Sequence, residues 1–434
     1  MAKIAVIGAG TARLSSAIRL KTLGYEVDIY EKNHQVGGRM YQIFDQGFSF
    51  DVGPTIVMMP ELYKEVFEFS GADAADYLDM KLLDPMNRVY FSDNTYFDIS
   101  SDLTKLIKQL ESFGEEEAQG YMAYLSDVYE RYLRAKKHFL NKTYKKPTDF
   151  FNIKSLIQVL KLRTLNNAYQ SISKFVKHEK LRQALSFQTL YIGMSPYSGP
   201  SIYTIIPMIE LFYGVWYIKG GMFQMAKAME KRFIELGGHI HFNRSVEEIL
   251  IKDKKAYGIK VANKDIIYDA VLANSDFPWT MKHLIKDERL KGKYQSYKID
   301  KLKYSTSGFM IYLGLDKKYK TNVHAIRFAK DFKKNINDLF DSIIPDDPSF
   351  YMYSPSQVDD TIAPKGKELI YILVPVPSLH QNDIHWDESL REIYYKKIMS
   401  MVTEIEGFED IMEHIEVKHM YTPNDFEKQF NLMF

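Results

Sequence analysis

The chain has 434 residues, more than one domain usually contains, and its 46% hydrophobic and 26% charged residues exclude global disorder. Lys and Arg number 57 against 56 Asp and Glu, so the chain lacks the overall basic field that recruits nucleic acid. With no cysteine, it has no disulfides, thiolate metal ligands or cysteine nucleophiles, which suits a reducing compartment.

The N-terminus predicts the first βαβ unit of a dinucleotide-binding fold. Residues 3–7 form an apolar run typical of a buried strand, and Gly8 and Gly10 lead into an apolar pattern with helical spacing. A second strand over residues 26–30 is followed directly by Glu31. Because this start lacks the cleavage region of a signal peptide, we expect a cytoplasmic protein.

The glycine turn and the acidic residue have distinct chemical roles in such a unit. Gly8 permits the tight turn, and Gly10 lets backbone amides approach a pyrophosphate at the start of the helix. Glu31 is placed to accept hydrogen bonds from ribose hydroxyls and to repel a 2′-phosphate, which disfavours NADP. Arg13 stands where a third glycine is usual, so its side chain must bend away or push the helix back. We expect weaker pyrophosphate binding as a result.

The middle of the chain is mostly helical in pattern. Residues 60–144 are helical and charged, interrupted by a predicted hairpin over residues 87–99, and residues 153–187 are helical again. Residues 202–218 form the most apolar run of the chain. This run contains Glu210 and is short for a membrane span, so it predicts a buried or interfacial helix.

Nucleotide-fold character returns in the second half. A glycine pair within residues 219–222 precedes another helix, and residues 239–275 are read as short strands, one pair turning at residues 253–255. Further strands are predicted over residues 309–315 and 368–374. This order indicates a nucleotide domain interrupted by a second domain.

A second motif distinguishes FAD from NAD. Lys32 follows Glu31, and Gly37, Gly38 and Arg39 complete an E-K-x-x-x-x-G-G-R string. The string resembles the signature of the large two-domain flavoproteins that include amine oxidases, protoporphyrinogen oxidases and carotenoid desaturases. The resemblance implies FAD as the cofactor, with both glycines close to it and the arginine at its diphosphate–ribityl region.

The resemblance extends to further positions. It implies that Gly53, Pro54 and Thr55 run beside the isoalloxazine ring and that the backbone of Val246 reaches the adenine. Within this group of flavoproteins the sequence is most similar to the carotenoid desaturases. The similarity is clearest along residues 38–60, 186–196, 201–215, 217–226 and 422–427.

The implied fold is α/β. It is a Rossmann-like FAD-binding domain of the two-domain glutathione-reductase/amine-oxidase type with an inserted α+β substrate domain. We assign residues 1–75 and 215–277 to the FAD-binding domain, and residues 76–214 and 278–434 to the substrate-binding domain with its helical cap. Relatives continue with a glycine-rich segment that completes the cofactor domain, so we expect that part to be missing here.

The implied activity is desaturation of a long, colourless, apolar polyene, with FAD accepting the hydride and oxygen or a quinone accepting the electrons. Because such a substrate dissolves in lipid, we expect peripheral attachment to a membrane surface. Aromatic residues make up 14% of the chain, which suits a ring-lined pocket or a membrane-touching surface.

No residue stands out as the catalytic base. His138, His178 and His380 are scattered, Glu210 is the first carboxylate to test, and no metal-ligand spacing occurs. Two alternatives stay open. One is another FAD oxidoreductase, such as an amine oxidase, and the other is a non-catalytic truncated remnant or a flavin- or lipid-binding protein.

Overall fold

A computed structural model describes residues 1–140, 142–162, 166–380 and 384–433. The strands of these residues are β1 (Lys3–Ile7), β2 (Glu26–Tyr30), β3 (Gln42–Asp45), β4 (Phe48–Asp51), β5 (Met80–Leu83), β6 (Asn87–Tyr90), β7 (Tyr96–Ile99), β8 (Val215–Ile218), β9 (His239–His241), β10 (Val246–Lys252), β11 (Lys255–Val261), β12 (Lys264–Ile267), β13 (Ala270–Ala273), β14 (Ser307–Leu315), β15 (His324–Arg327), β16 (Phe350–Tyr353), β17 (Glu368–Val376) and β18 (Ile415–Tyr421).

The helices connect and cover these strands. They are α1 (Thr11–Thr22), α2 (Pro60–Phe69), α3 (Leu103–Glu111), α4 (Glu115–Ala135), α5 (Pro147–Phe150), α6 (Ile153–Lys161), α7 (Ala168–Ile172), α8 (Glu179–Ser186), α9 (Ile205–Tyr213), α10 (Phe223–Glu235), α11 (Phe277–Trp279), α12 (Ser296–Ile299), α13 (Phe332–Phe340), α14 (Glu388–Val402) and α15 (Pro423–Phe430).

A parallel sheet with strand order β13-β1-β2-β9 forms one layer of the fold. Strand β1 is buried because its KIAVI run packs on both faces, as central parallel strands do. Leu14, Ala17 and Ile18 of helix α1 pack into one hydrophobic core together with residues of α10. The carboxyl ends of β1, β2 and β13 therefore meet at one edge, which is where open α/β sheets bind ligands.

A second, seven-stranded sheet has the order β18-β14-β17-β16-β15-β6-β7. Its two longest strands, β14 and β17, pair antiparallel over nine residues each. One face packs against α14, and the other face packs against a core shared with α3, α4 and α8. Strands β15, β16 and β17 of this sheet supply part of the wall of the second cavity described below.

The hairpin of β3 and β4 joins the two sheets. Phe48 and Phe50 are buried beside Tyr312 of β14, and Asp51 at the end of β4 accepts hydrogen bonds from the amides of Met222 (2.8 Å) and Phe223 (3.3 Å). Those amides lie at the N-terminus of α10, where a carboxylate is favourable. Burial nevertheless raises the pKa of Asp51 to about 7.

Most of the local predictions are confirmed. The first strand–helix–strand unit, the hairpin over residues 87–99, the turn at residues 253–255 and both later strands are present. The prediction of one helix over residues 202–218 is wrong, because α9 ends at Tyr213 and β8 follows to pair with β5.

In the part of the chain that the structure describes, no helix is both long enough and apolar enough to cross a bilayer. The parallel sheet is built from residues 1–75 and 215–277, but the assignment of domains at those boundaries stays a prediction.

Candidate functional site

A cavity of about 720 Å³ lies at the carboxyl edge of the parallel sheet. Its wall contains nearly all the positions that the sequence motifs assign to a cofactor, namely Gly8, Gly10, Glu31, Lys32, Gly37, Gly38, Arg39, Gly53, Pro54 and Val246. Thr55, assigned to the same group, lies instead in the wall of the neighbouring cavity.

Glu31 is buried at the end of β2 and faces the glycine turn. Its Oε2 accepts the amide hydrogen of Ala9 at 2.7 Å, and its Oε1 accepts that of Asn33 at 2.9 Å. Each carboxylate oxygen has a second acceptor site, so Glu31 can also receive hydrogen bonds from a ligand hydroxyl.

The second glycine motif packs against the first. The amide of Gly37 donates to the carbonyl oxygen of Ala9 at 2.9 Å. A Cβ on Gly38 would stand 3.2 Å from the Cα of Gly10, and one on Gly53 would collide with the carbonyl oxygen of Arg39. Glycine is required at these positions because three backbone segments approach one another beneath the cavity.

Arg13 bends away from the helix and into the cavity. Its guanidinium fills the place where a Cβ on Gly8 would stand, and its Nη2 donates to the carbonyl oxygen of Asn274 at 2.7 Å. Burial lowers the pKa of Arg13, and the nearby charge of Glu31 opposes that effect. The side chain therefore crosses the glycine turn at which a diphosphate would bind.

The C-terminal helix contributes a further wall that the motifs did not indicate. Phe426 and Phe430 of α15 line the cavity, and so do Asn431 and Leu432 after it. Lys32 Nζ donates to Asn431 Oδ1 at 2.7 Å, so this segment contacts the motif lysine directly.

The loop after β13 was also missed. Asn274, Ser275 and Asp276 line the cavity, and Asp276 caps α11 through the amide of Trp279 at 3.1 Å. Burial raises the pKa of Asp276. No motif marks these residues; the signal that could have found them is their position after a strand parallel to β1.

A second cavity of about 370 Å³ adjoins the first at Gly53 and Pro54. None of the described residues that line it is charged. They are Gly53, Pro54, Thr55, Ile56, Met58, Phe187, Leu190, Tyr191, Ile326, Phe328, Phe332, Ser349, Phe350, Tyr351, Tyr371, Leu373 and Pro375. This wall suits a neutral, apolar ligand that reaches the first cavity at the shared residues.

Hydroxyl groups interrupt the apolar wall near the shared residues. Thr55 Oγ1 and Tyr351 Oη lie 2.6 Å apart, and Tyr351 Oη is 2.6 Å from Nδ1 of His324. Tyr371 Oη donates to the carbonyl oxygen of Gly53 at 3.1 Å.

Glu210 is buried behind this wall rather than in it. Its Oε2 accepts from Gln188 Nε2 at 3.2 Å, and burial raises the pKa of Glu210 to about 7. Burial, and after it the charge of Glu210, raise the pKa of Tyr191, which does line the cavity, well above its usual value. Glu210 would thus have to act through another residue.

The three histidines noted in the sequence lie elsewhere. His178 precedes α8 and packs its ring edge-to-face against Phe113, His380 lies near Tyr304, and His138 follows α4. None of them is among the described residues that line either cavity.

Comparison with known proteins identifies the family of the chain. Residues 14–428 match the family of flavin containing amine oxidoreductases. The chain belongs to that family. The family implies a flavin as the cofactor of this chain.

The curated relatives are more specific than the family. The chain is 44% identical over 99% of its length to a 4,4′-diapophytoene desaturase (4,4′-diaponeurosporene-forming) of Staphylococcus haemolyticus, and 43% identical over its whole length to that of Staphylococcus aureus strain Newman. It spans 87% of the length of each.

Solved structures of other proteins share the fold. An oxidoreductase from Methanosarcina mazei superposes with a TM-score of 0.60 at 18% identity, covering 96% of this chain and 87% of that one. A triple mutant of putrescine oxidase superposes with a TM-score of 0.62 at 10% identity, covering 100% and 87%. The α/β flavoprotein fold expected from the sequence is confirmed.

Proposed function

We propose that the protein is an FAD-dependent desaturase that introduces double bonds into 4,4′-diapophytoene, a C30 precursor in carotenoid biosynthesis. The observation that carries the proposal is the uncharged cavity that meets the nucleotide cavity at Gly53 and Pro54. The activity named for the staphylococcal relatives supports the choice of substrate.

The residues of the nucleotide cavity fit FAD. The glycine turn before α1 suits a diphosphate, and Glu31 and Val246 line the part of the cavity suited to an adenosine. The volume lies within the usual range for cofactor sites. Arg13 lies across the turn, but it is the end of a flexible side chain and can move aside. When bound, FAD supplies the two-electron hydride acceptor that a desaturation needs.

The second cavity favours a hydrocarbon over an amine. Phe187, Leu190 and Phe328 present apolar surface, and each buried methylene of a ligand contributes about 0.8 kcal/mol. An ammonium group would lose its water here without a carboxylate to pair with, since none of the described lining residues is charged. This contrast supports the desaturase over an amine oxidase.

The deciding experiment expresses the chain in cells that accumulate 4,4′-diapophytoene and reads the absorbance spectrum of the extracted pigment. We expect yellow products, and bound FAD in the purified protein. A flavin-loaded protein that leaves the polyene colourless and oxidises putrescine would favour an amine oxidase. A folded protein without flavin would favour the non-catalytic alternative.

A basic, apolar surface supports peripheral attachment to a membrane. Residues 134–161 contain eight Lys and Arg against one Asp. Phe151 and Ile153 beside α5 and α6 are 77% and 78% exposed, and Phe150 and Ile157 are exposed with them. Exposed aromatic and aliphatic side chains among lysines are typical of segments that dock on anionic lipids. We call residues 134–161 the docking segment.

Vesicle sedimentation tests this attachment. We expect binding to phosphatidylcholine vesicles that contain 20% phosphatidylglycerol, and weaker binding to phosphatidylcholine alone or at high salt. The double variant Phe151→Ser/Ile153→Ser should reduce binding. The matched control is Phe340→Ser/Ile343→Ser, which removes two exposed apolar side chains elsewhere. Equal sedimentation of both variants would contradict the docking segment.

The electrons leave to oxygen or to a quinone in this proposal. Product formation under argon, with and without added quinone, distinguishes the two acceptors. Turnover that needs air points to oxygen, and turnover restored by quinone under argon points to the membrane pool.

A further inference from the structure

Desaturation removes two hydrogens from adjacent carbons, one with its electron pair and one as a proton. The proton needs an acceptor within hydrogen-bond reach of the substrate. Among the described lining residues of the apolar cavity there is no carboxylate, lysine or histidine. The polar groups that reach the wall are hydroxyls, so a hydroxyl must take the proton and pass it on.

Tyr351 has an onward partner in a ring nitrogen. It lines the cavity from β16, and its Oη lies 2.6 Å from both Thr55 Oγ1 and His324 Nδ1. His324 lies on β15, the neighbouring antiparallel strand, and is fully buried behind the wall. The proton of Tyr351 therefore has a ring nitrogen to move to.

Two further hydroxyls of the wall are engaged differently, while a third, that of Tyr191, lies beside Glu210. Tyr371 Oη donates to the carbonyl oxygen of Gly53 at 3.1 Å, and Ser349 Oγ accepts from the amide of Ala329 at 2.9 Å. A carbonyl oxygen and an amide cannot store a proton in the way an imidazole does.

The ring of His324 is held in place from two sides. It stacks on Tyr351 with an interplanar angle of 20° and on Tyr353 with one of 12°. Its Nε2 has no hydrogen-bond partner in the described part of the chain. Burial lowers the pKa of His324 to about 3, so the ring is neutral and one nitrogen is free to accept.

We propose that Tyr351 and His324 together form the proton acceptor of the desaturation, a role that rests on the function proposed above. The C–H bond next to the carbon that has lost hydride to FAD breaks, and its electron pair forms the new double bond. The proton binds Tyr351 Oη while the phenolic proton moves to His324 Nδ1. A C–H bond beside an electron-deficient carbon is strongly acidic, so even an imidazole whose pKa is lowered by burial can accept its proton.

The kinetic test uses anaerobic reduction of bound FAD by 4,4′-diapophytoene in a single turnover. We expect Tyr351→Phe and His324→Asn to slow reduction by at least about 100-fold, in line with the usual contribution of a general base. The Asn variant places an amide oxygen near the position of Nδ1. That oxygen can accept a hydrogen bond from Tyr351 but cannot hold the proton. FAD content and polyene binding should stay unchanged.

The matched control is Tyr353→Phe. Tyr353 lies on the same strand, stacks on the same ring and is buried, but its hydroxyl has no partner among the described residues. Its loss should leave the rate within about twofold, since removing an unbonded buried hydroxyl is nearly neutral.

A second measurement reports which ring nitrogen of His324 is protonated, without any turnover. In ¹⁵N spectra of histidine-labelled protein, assigned with His324→Asn, we expect an unprotonated Nδ1 and a protonated Nε2 at pH 7. Tyr351→Phe should shift the Nδ1 resonance, because its hydrogen bond is lost. A protonated Nδ1 in the native protein would overturn the proposal.

The outcomes separate the two proposals. A wild-type protein that holds FAD but is not reduced by the polyene refutes the function and the proton role with it. A wild type that is reduced, together with a Tyr351→Phe variant that reacts at full rate, overturns the proton acceptor alone. A full-rate Tyr351→Phe and an inactive Glu210→Gln would assign the proton to Glu210 instead.

Discussion

The guanidinium of Arg13 donates to the carbonyl oxygen of Asn274 at 2.7 Å, which holds it across the glycine turn of the nucleotide cavity. The residue sits on the first turn of α1 and reaches the end of β13, two elements that both border the cofactor site. A diphosphate at this turn must displace the side chain and break that hydrogen bond.

Arg13→Gly should therefore raise the affinity for FAD. A hydrogen bond from a charged group is worth about 1.5–3 kcal/mol, so we expect at least about a tenfold decrease in the dissociation constant, measured by quenching of flavin fluorescence. Arg19→Gly is the control, because it makes the same change in α1 at an arginine that pairs with Glu65 outside the cavity. Weaker binding by Arg13→Gly would mean that the guanidinium acts as a counter-ion for the diphosphate.

Glu31→Gln should weaken FAD binding but leave FMN binding nearly unchanged. The carboxylate is placed for an adenosine ribose, a group that FMN lacks, and an amide supplies only one acceptor oxygen. We expect roughly a tenfold or greater loss for FAD by isothermal titration calorimetry. Glu26→Gln, an exposed position on the same strand, is the control. Equal losses for FAD and FMN would place Glu31 away from the ribose.

Gly221→Ala should destabilise the protein more than Gly24→Ala. Both glycines have a φ of +88°, which strains an alanine by about 1–2 kcal/mol. Nothing lies within 4 Å of the Cβ position at Gly24, whereas at Gly221 a Cβ would collide with the carboxylate of Asp51. The difference between the two variants in chemical denaturation isolates the collision, expected at about 1–3 kcal/mol. Equal losses would show that Asp51 moves freely.

Glu210→Gln should change how stability depends on pH. The folded-state pKa of Glu210 is about 7 and its ordinary value is 4.5, so the folded protein binds more protons than the unfolded chain between these values. The buried carboxyl therefore lowers the free energy of unfolding as pH rises from about 4.5 to 7, an effect that reaches on the order of 3 kcal/mol above pH 7.

The amide of the Glu210→Gln variant does not titrate, so the variant lacks this dependence of stability on pH. Its free energy of unfolding, relative to wild type, should rise across that window and stay level outside it. The control is Glu406→Gln, which removes an exposed carboxylate. Parallel pH profiles for wild type and Glu210→Gln would contradict a raised pKa in the folded state.

The local elements of the fold could be predicted from sequence because they are contiguous. The first βαβ unit and the hairpins combine apolar spacing with turn residues within a short segment. The sequence does not show where the helix ends and the strand begins within residues 202–218, since an apolar run suits a buried helix and a buried strand equally. Pairing of β8 with β5, which lies far earlier in the chain, decides the matter.

The candidate site likewise contains residues that could be predicted from sequence and residues that could not. The glycines, Glu31 and Arg39 belong to motifs with fixed spacing and could be named in advance. Tyr351 and His324 are 27 residues apart on neighbouring strands, and no local pattern links them. Their meeting depends on the register between β15 and β16, which only the folded sheet supplies.

Gly53 and Pro54 belong to the walls of both cavities, so the two occupants share a boundary. Thermodynamic linkage makes any coupling between the two ligands reciprocal. If bound flavin changes the dissociation constant of the polyene by some factor, bound polyene changes the dissociation constant of the flavin by the same factor. If that factor favours joint binding, loss of the polyene also weakens the hold on the flavin, and a thermal-shift titration of either ligand in the presence of the other measures it.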